Sequence, residues 1–228
     1  MPPLRIVRSA LITGGTGGLG VAVVDAFLRA GWRVVVPCEP GDGRERLPPG
    51  AEAVGADLTD PGDVGRAVRL AASTDDAPLR AVANLVGGFR AGQPVAETPV
   101  AEFEALFALN LRPTYLVTQA ALPQLAAAGG GAIVCISSIS AVEPFAGGAG
   151  YAASKAAVAA FARAVAREGA PEGIRSNVVQ PTMIDTPANR AASPDAVARM
   201  VPPERIAALV RFLCGDEAAA LNGAVLPV

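Results

Sequence analysis

The chain has 228 residues, of which 51% are hydrophobic and 4% aromatic, and its formal net charge is −2. This length suits one α/β domain, and the slightly acidic balance excludes a protein that grips nucleic acid through its phosphates. No run of about 18 apolar residues occurs, so no membrane span is expected. The chain has no histidine, which excludes histidine-based catalytic triads and metal sites, and no metal is expected.

The cysteine content and the start of the chain indicate the compartment. The three cysteines, Cys38, Cys135 and Cys214, are odd in number and widely spaced. This pattern is typical of a reducing cytosol without a disulfide framework. Residues 1–5 lack the apolar core of a signal peptide, so we expect a cytoplasmic protein.

The first half of the chain alternates short apolar runs with longer helical stretches. Gly31 ends the first helical stretch, and Asp60 before Pro61 is typical of a helix cap. The segment 37–50 is rich in proline and glycine and is predicted to be a loop. The pattern predicts strands at 10–12, 33–36, 51–56 and 81–86 and helices at 21–30 and 61–72.

The same alternation continues in the second half. A long helical region at 100–128 contains Pro113 and Pro123, which predict a kink or break. Further strands are predicted at 132–136, 175–180 and 223–228, and further helices at 151–169 and 202–214. Alternating strands and helices predict a single α/β domain over 1–228, a Rossmann-type doubly wound parallel sheet of about seven strands with helices on both faces.

A glycine-rich turn lies between the first strand and the first helix, with the sequence TGGTGGLG at 13–20. Glycine there permits a tight turn, a close approach of the backbone to a pyrophosphate, and close packing of helix on strand. The start of the helix also offers free N–H groups to phosphates. The turn therefore indicates a dinucleotide site, whereas an ordinary glycine-rich loop is the alternative.

Tyr151 and Lys155 open the predicted helix at 151–169. Lys155 is the only lysine in the chain, and Tyr151 is one of two tyrosines. Residues four apart lie on one helix face, so the phenol and the ammonium are expected to be neighbours. A nearby cation lowers the pKa of a tyrosine from its ordinary value of about 10, which suits proton exchange with a substrate. An amphipathic helix with an exposed lysine is the alternative.

The order and spacing of these motifs resemble the short-chain dehydrogenase/reductase family over nearly the whole chain. The resemblance implies hydride transfer between a nicotinamide and a carbonyl or secondary alcohol, with Tyr151 as the proton donor or acceptor. It implies that Ser138, thirteen residues before Tyr151, holds the substrate oxygen. It also implies that Asn110 holds a water beside Lys155.

Further segments match the family, with two departures. Leu85 and Val86 replace the usual residues after Asn84, and Thr182 replaces a glycine after Pro181. The cofactor-binding residues that the resemblance implies are Gly14, Thr16, Gly18, Leu19, Gly20, Cys38, Glu39, Asp57, Leu58, Asn84, Tyr151, Lys155, Pro181, Ile184 and Thr186.

The end of the second strand bears on which dinucleotide binds. An acid there favours the ribose of NAD, whereas arginine favours the phosphate of NADP. Cys38 and Glu39 occupy these positions, so NAD(H) is favoured over NADP(H). Arg44 and Arg46 in the next loop would act in the opposite direction. A short substrate lid is expected at about 187–201.

Several functions remain open within this resemblance. The substrate is a small carbonyl or alcohol compound, and a 3-oxoacyl or other ketone reductase is one possibility. The runs at 185–190 and 201–203, together with Gly87, Gly88 and Phe89 and the compact length, look similar to dihydropteridine reductases. A non-catalytic dinucleotide-binding sensor or scaffold is the third alternative. The family also implies a homotetramer or homodimer, formed through the helices at 100–128 and 151–169.

Overall fold

The computed structural model describes residues 8–39, 41 and 43–228. Within them lie seven strands: β1 (Ser9–Thr13), β2 (Arg33–Cys38), β3 (Ala51–Gly55), β4 (Leu79–Asn84), β5 (Gly131–Ile136), β6 (Ile174–Gln180) and β7 (Val225–Pro227). They form one sheet in the order β3-β2-β1-β4-β5-β6-β7, and every neighbouring pair is parallel. This confirms the predicted Rossmann-type sheet. Residues 1–5, on which the signal-peptide expectation rests, lie outside the described residues.

Helices connect the strands. They are α1 (Gly18–Arg29), α2 (Pro61–Ala71), α3 (Val100–Asn110), α4 (Arg112–Ala127), α5 (Ala149–Gly169), α6 (Pro187–Ala192) and α7 (Pro203–Cys214). The short helix α6 lies in the segment predicted as a substrate lid. A bridge between Ile184 and Val201 brings the two ends of this segment together.

Successive residues of each central strand face opposite layers of helices. On β1, Ala10 and Ile12 pack in one apolar cluster with α1 and α7. Leu11 between them packs in a second cluster with α2, α4 and α5. Because side chains alternate along a strand, a sheet covered on both faces needs apolar residues at every position, which explains the continuous apolar runs in the sequence.

The predicted helix break occurs at Leu111, between α3 and α4. Pro113 lies in the first turn of α4, where its missing N–H is not needed by the helix. Pro123 is accommodated inside α4. Strand β2 also extends beyond the prediction, since Pro37 and Cys38 pair with Val54 and Gly55 of β3.

The cap of α2 provides a test of the fold's local energetics. The Asp60 carboxylate accepts a hydrogen bond of 2.8 Å from the backbone N–H of Asp63, as the sequence predicted. We expect Asp60→Ala to lower the free energy of unfolding by about 1 kcal/mol in urea denaturation. Asp76→Ala, at an exposed site outside the helix, is the control. Equal losses in both variants would contradict the capping role.

Candidate active site

The candidate site lies at the carboxyl ends of the central strands. The strand order reverses direction between β1 and β4, which is where ligands bind in open α/β sheets. Thr13, Asn84 and Cys135 are in register at the ends of β1, β4 and β5. The glycine-rich turn, the Ser138 loop and the start of α5 all follow from this edge.

Packing explains the glycines of the turn between β1 and α1. Gly14 has a φ of +65°, which favours glycine. A Cβ on Gly20 would overlap the carbonyl oxygen of Gly14 and lie 2.6 Å from the Cα of Gly15. A Cβ on Gly18 would lie 2.7 Å from the Thr186 methyl carbon. The turn is therefore as tight as predicted, and Thr186 lies directly against it.

The start of α1 is open to an anion. Gly17 caps the helix without a side chain, and the first turn carries no acidic residue. The N-terminus of α2, by contrast, is closed by the Asp60 carboxylate. A helix N-terminus without a side-chain cap leaves N–H groups available to a pyrophosphate. Thr16 and Leu19 are buried, and Leu19 belongs to the core, so any contact from Leu19 would come from its backbone.

The expected adenosine end lies at the ends of β2 and β3. Cys38 is buried with its Sγ 3.7 Å from the carbonyl oxygen of Val54, whereas Glu39 is exposed. The Asp57 carboxylate accepts two hydrogen bonds of 2.7 Å from the N–H and hydroxyl of Thr59. These bonds lower the pKa of Asp57, so it stays charged. Leu58 is buried in the core, which leaves Asp57 and Glu39 facing solvent.

Asn84 lies at the end of β4 with its side chain buried. Its Nδ2 donates to the hydroxyl of Thr118 at 3.1 Å and lies 3.8 Å from the Sγ of Cys135. Its Oδ1 is buried without a hydrogen-bond partner. The side chain therefore ties β4 to α4 and β5, and only the backbone of Asn84 is left to face the groove.

Ser138 and Tyr151 converge as the resemblance implied. A hydrogen bond between their hydroxyls lowers the pKa of Tyr151, but burial has the larger effect and raises it above its ordinary value. The expectation that a neighbouring cation lowers this pKa is therefore wrong, because burial raises it and the opposing influence comes from Ser138. The Ser138 oxygen also accepts a bond of 3.2 Å from the N–H of Ser140, which fixes its position.

Lys155 is buried, with 5% of its surface exposed, and its Nζ donates to the carbonyl oxygen of Ile136 at 3.2 Å. Burial lowers its pKa to about 8. The hydroxyl of Ser137 donates to the backbone oxygen of Lys155 at 2.7 Å, which fixes α5 against the end of β5. Cys135, next to Ile136 on β5, stays a neutral thiol, since burial raises its pKa to about 12.

The Asn110 side chain is hydrogen-bonded to protein groups on both sides. Its Oδ1 accepts from the N–H of Gly88 at 2.8 Å, and its Nδ2 donates to the Ser154 hydroxyl at 3.0 Å. Ser154 in turn donates to the backbone oxygen of Tyr151 at 2.8 Å. A Cβ on Gly87 would lie 2.7 Å from the Asn110 Oδ1 and 2.8 Å from the Lys155 Nζ. Asn110 is thus beside Lys155, as expected, but its side chain links the β4 loop to α5.

The segment after β6 joins the site from the other side. The carbonyl oxygen of Pro181 accepts from the N–H of Ile139 at 3.0 Å, next to Ser138. The Thr186 hydroxyl accepts from the N–H of Asn189 at 3.2 Å and caps α6. Ile184 pairs with Val201, so its backbone supports the lid.

Three further residues contribute contacts at the site and were not predicted from the sequence. Ser137 and Ser154 are neighbours of predicted residues and hold the backbone of α5 by single hydrogen bonds. Phe89 packs edge to face on Tyr151, with ring centroids 4.9 Å apart. Proximity to Ser138 and Lys155 was a usable signal for the two serines, but nothing in the sequence indicates that Phe89 meets Tyr151.

The described residues contain no cluster of three or more acidic or cysteine side chains placed to hold a metal ion. Within the same part of the chain, every helix is too short or too polar to cross a bilayer.

Burial of Lys155 predicts a pH-dependent stability. Its folded-state pKa of about 8 lies below the ordinary value of 10.5, so the unfolded chain binds more protons between these values. The free energy of unfolding of the natural protein should therefore rise from pH 8 to pH 10 relative to that of Lys155→Met. Urea denaturation at several pH values measures this difference. Parallel pH profiles for the two proteins would contradict the burial of a charged lysine.

Comparisons with known proteins agree with this geometry. A family model described as short chain dehydrogenase matches residues 8–196. Acetoacetyl-CoA reductase of Allochromatium vinosum is 31% identical over 241 residues, covering 98% of this chain and 97% of the relative. The 3-oxoacyl-[acyl-carrier-protein] reductase MabA of Mycobacterium bovis is 31% identical over 236 residues, covering 100% and 93%.

A solved structure described as a short chain dehydrogenase/reductase family protein is 31% identical to this chain, with a TM-score of 0.88. The match covers 98% of this chain and 97% of that one. The chain therefore belongs to the short-chain dehydrogenase/reductase family, enzymes that act on CH–OH and C=O groups with a nicotinamide dinucleotide.

Proposed function

We propose that the protein reduces a ketone to a secondary alcohol, with a reduced nicotinamide dinucleotide as the hydride donor and Tyr151 as the proton donor. The observation that carries this proposal is that the Ser138 side chain reaches Tyr151, which lies one helical turn before the buried Lys155 on α5. Two hydroxyls at one point match the single oxygen of a carbonyl group.

Each residue has a separate task. The dinucleotide, when bound, supplies the hydride. Ser138 donates a hydrogen bond to the carbonyl oxygen and holds it beside Tyr151. Tyr151 transfers its proton to that oxygen as negative charge develops there. Lys155 places a positive charge one helical turn further along α5, on the helix that carries Tyr151.

The state of Tyr151 favours the reductive direction near neutral pH. Burial raises its pKa, so the phenol is protonated at neutral pH, which is the state that ketone reduction uses. Alcohol oxidation would need the phenolate instead and is expected to increase with pH. Two of the relatives are named as reductases of acetoacetyl-CoA and of a 3-oxoacyl thioester, which is the same direction.

Two alternatives are less well supported. A non-catalytic sensor would not require Ser138 to reach Tyr151, and the relation between these two side chains supports an enzyme instead. The similarity to dihydropteridine reductases rested on the segment around Phe89 and on the short lid. Those enzymes lack the serine, whereas here Ser138 bonds to Tyr151. A ketone is therefore the preferred substrate.

We further propose NAD(H) as the cofactor and an oligomer as the assembly. Glu39 is exposed at the end of β2, where a carboxylate disfavours the extra phosphate of NADP. The guanidinium of Arg44 lies close to the end of the neighbouring strand β3, since its Nη2 would be 3.2 Å from a Cβ on Gly55, and its positive charge would favour the phosphate of NADP.

For the assembly, Phe103 and Tyr115 expose 41% and 45% of their surface on α3 and α4, within the interface implied by the family.

The role of Tyr151 is tested by replacing each tyrosine in turn. Tyr151→Phe removes the proton donor and should lower kcat for ketone reduction by about 10²- to 10⁴-fold. Tyr115→Phe, on α4 beside Phe161, is the matched control and should retain activity. Oxidation of NADH, followed by its absorbance with a panel of ketones, measures both. Unchanged activity in Tyr151→Phe would show that the proton comes from elsewhere.

The cofactor proposal is tested by comparing NADH with NADPH. We expect a higher kcat/KM with NADH, and we expect Glu39→Ala to narrow the preference by about tenfold, since it removes a charge near the 2′ position. Arg44→Ala should leave the NADH value near that of the natural protein. A preference for NADPH that disappears in Arg44→Ala would overturn the assignment.

A further inference from the structure

Two phenylalanine rings stand exposed beside the reacting hydroxyl. Phe89 and Phe145 expose 63% and 43% of their surface. Phe89 contacts Tyr151 edge to face, with ring centroids 4.9 Å apart and an interplanar angle of 77°. Phe89 and Phe145 lie 6.2 Å apart with ring planes 29° from parallel. Together they form an aromatic wall that begins at Tyr151 and extends into solvent.

Backbone contacts fix the loop that carries Phe145. Gly147 has a φ of +78°, and its carbonyl oxygen accepts a bond of 3.0 Å from the N–H of Gly92. A Cβ on Gly148 would lie 2.5 Å from the Phe145 ring, so only glycine lets the ring lie over the backbone. The ring is therefore placed by the fold, although its outer face is bare.

Phe89 is held from the opposite side. The N–H of the preceding Gly88 donates to Asn110 at 2.8 Å, and a Cβ on Gly88 would lie 2.5 Å from a Leu109 methyl carbon. The same Asn110 reaches Tyr151 through Ser154. One hydrogen-bonded chain thus sets the positions of both Phe89 and Tyr151, so the wall and the proton donor keep a constant relation.

The loops that carry Ser138 and Thr186 add further apolar surface at this edge of the sheet. Val142, four residues after Ser138, exposes 61% of its surface, and Met183, three residues before Thr186, exposes 40%. Large apolar groups grouped at a site edge usually mark where a ligand binds. Exposed aromatic rings such as Phe89 and Phe145 favour a partner that is itself aromatic, because ring pairs gain energy beyond their buried area.

We propose that Phe89 and Phe145 form a subsite for a planar aromatic ring, and that the preferred substrates are ketones with an aryl group close to the carbonyl. This inference rests on the proposed ketone reduction and specifies its substrate class. The aryl ring packs against Phe89 while the carbonyl oxygen lies between Ser138 and Tyr151. The reaction is unchanged: hydride and proton add across C=O, the dinucleotide is oxidised and the ketone is reduced.

Phenylacetone and cyclohexylacetone provide a matched pair of substrates. In both, a methylene group separates the ring from the carbonyl, so the carbonyl reactivity is similar and only the planarity of the ring differs. We expect kcat/KM to favour phenylacetone by about 3- to 10-fold, which corresponds to the usual energy of an aromatic pair. Phe89→Leu keeps apolar volume but removes the ring, and should bring the ratio close to one.

A control variant separates the subsite from general effects of removing a ring. Phe212→Leu makes the same change on α7, which packs against α1 away from Tyr151, and should preserve the ratio. Equal kcat/KM values for the two ketones in the natural protein would overturn the proposal, and so would a ratio that survives in Phe89→Leu.

Two further outcomes distinguish failure of the aryl subsite from failure of ketone reduction. Turnover of acetoacetyl-CoA but of neither ring ketone would overturn the aryl subsite and leave ketone reduction standing. No turnover of any of the three would overturn ketone reduction itself. A second copy of the chain is the other possible occupant of the ring surface, and light scattering on Phe89→Leu tests it by measuring the oligomeric state. Loss of assembly with an unchanged substrate ratio would show that a second copy covers the rings, and would overturn the proposal.

Discussion

The burial of the Lys155 ammonium is the constraint on which the arrangement of the site depends. A cation with 5% of its surface exposed has lost most of its water and must find oxygen partners within the protein. It finds the carbonyl oxygen of Ile136 at the end of β5, while Ser137 bonds the Lys155 backbone. These two contacts hold the first turns of α5 against the sheet edge. Because Tyr151 lies one turn earlier on the same helix, its position follows from that of Lys155.

A second set of contacts joins this helix to the β4 loop. Asn110 bonds the N–H of Gly88 on one side and Ser154 on the other, and Ser154 bonds the backbone of Tyr151. The glycine backbone at position 87 passes close to both Asn110 and Lys155, which leaves no room for a side chain there. The proton donor, the cation and the aromatic wall therefore belong to one connected structure, and a rigid frame of this kind suits a reaction that needs accurate placement.

Much of the fold and the core of the site could be predicted from the sequence. Hydrophobic periodicity and glycine placement gave the strand and helix order, because these patterns follow from local geometry. The spacing of Tyr151 and Lys155 placed them on one helix face. Side-chain directions were less accessible: Asn84 points into the interior, and Asn110 bonds protein groups. The pKa of Tyr151 rises since burial outweighs the Ser138 hydrogen bond, and burial depends on loops far apart in the chain. The contact of Phe89 with Tyr151 likewise depends on loops that are far apart in the chain.

Tyr151 is a partly buried, protonated acid held by Ser138. The Tyr115→Phe protein contains a single tyrosine, so NMR titration of a ¹³C label at its Cζ reports Tyr151 alone. We expect a pKa above the ordinary value of about 10, and a further rise in Ser138→Ala because the lowering hydrogen bond is lost. A pKa below the ordinary value in the cofactor-free protein, or no response to Ser138→Ala, would contradict it.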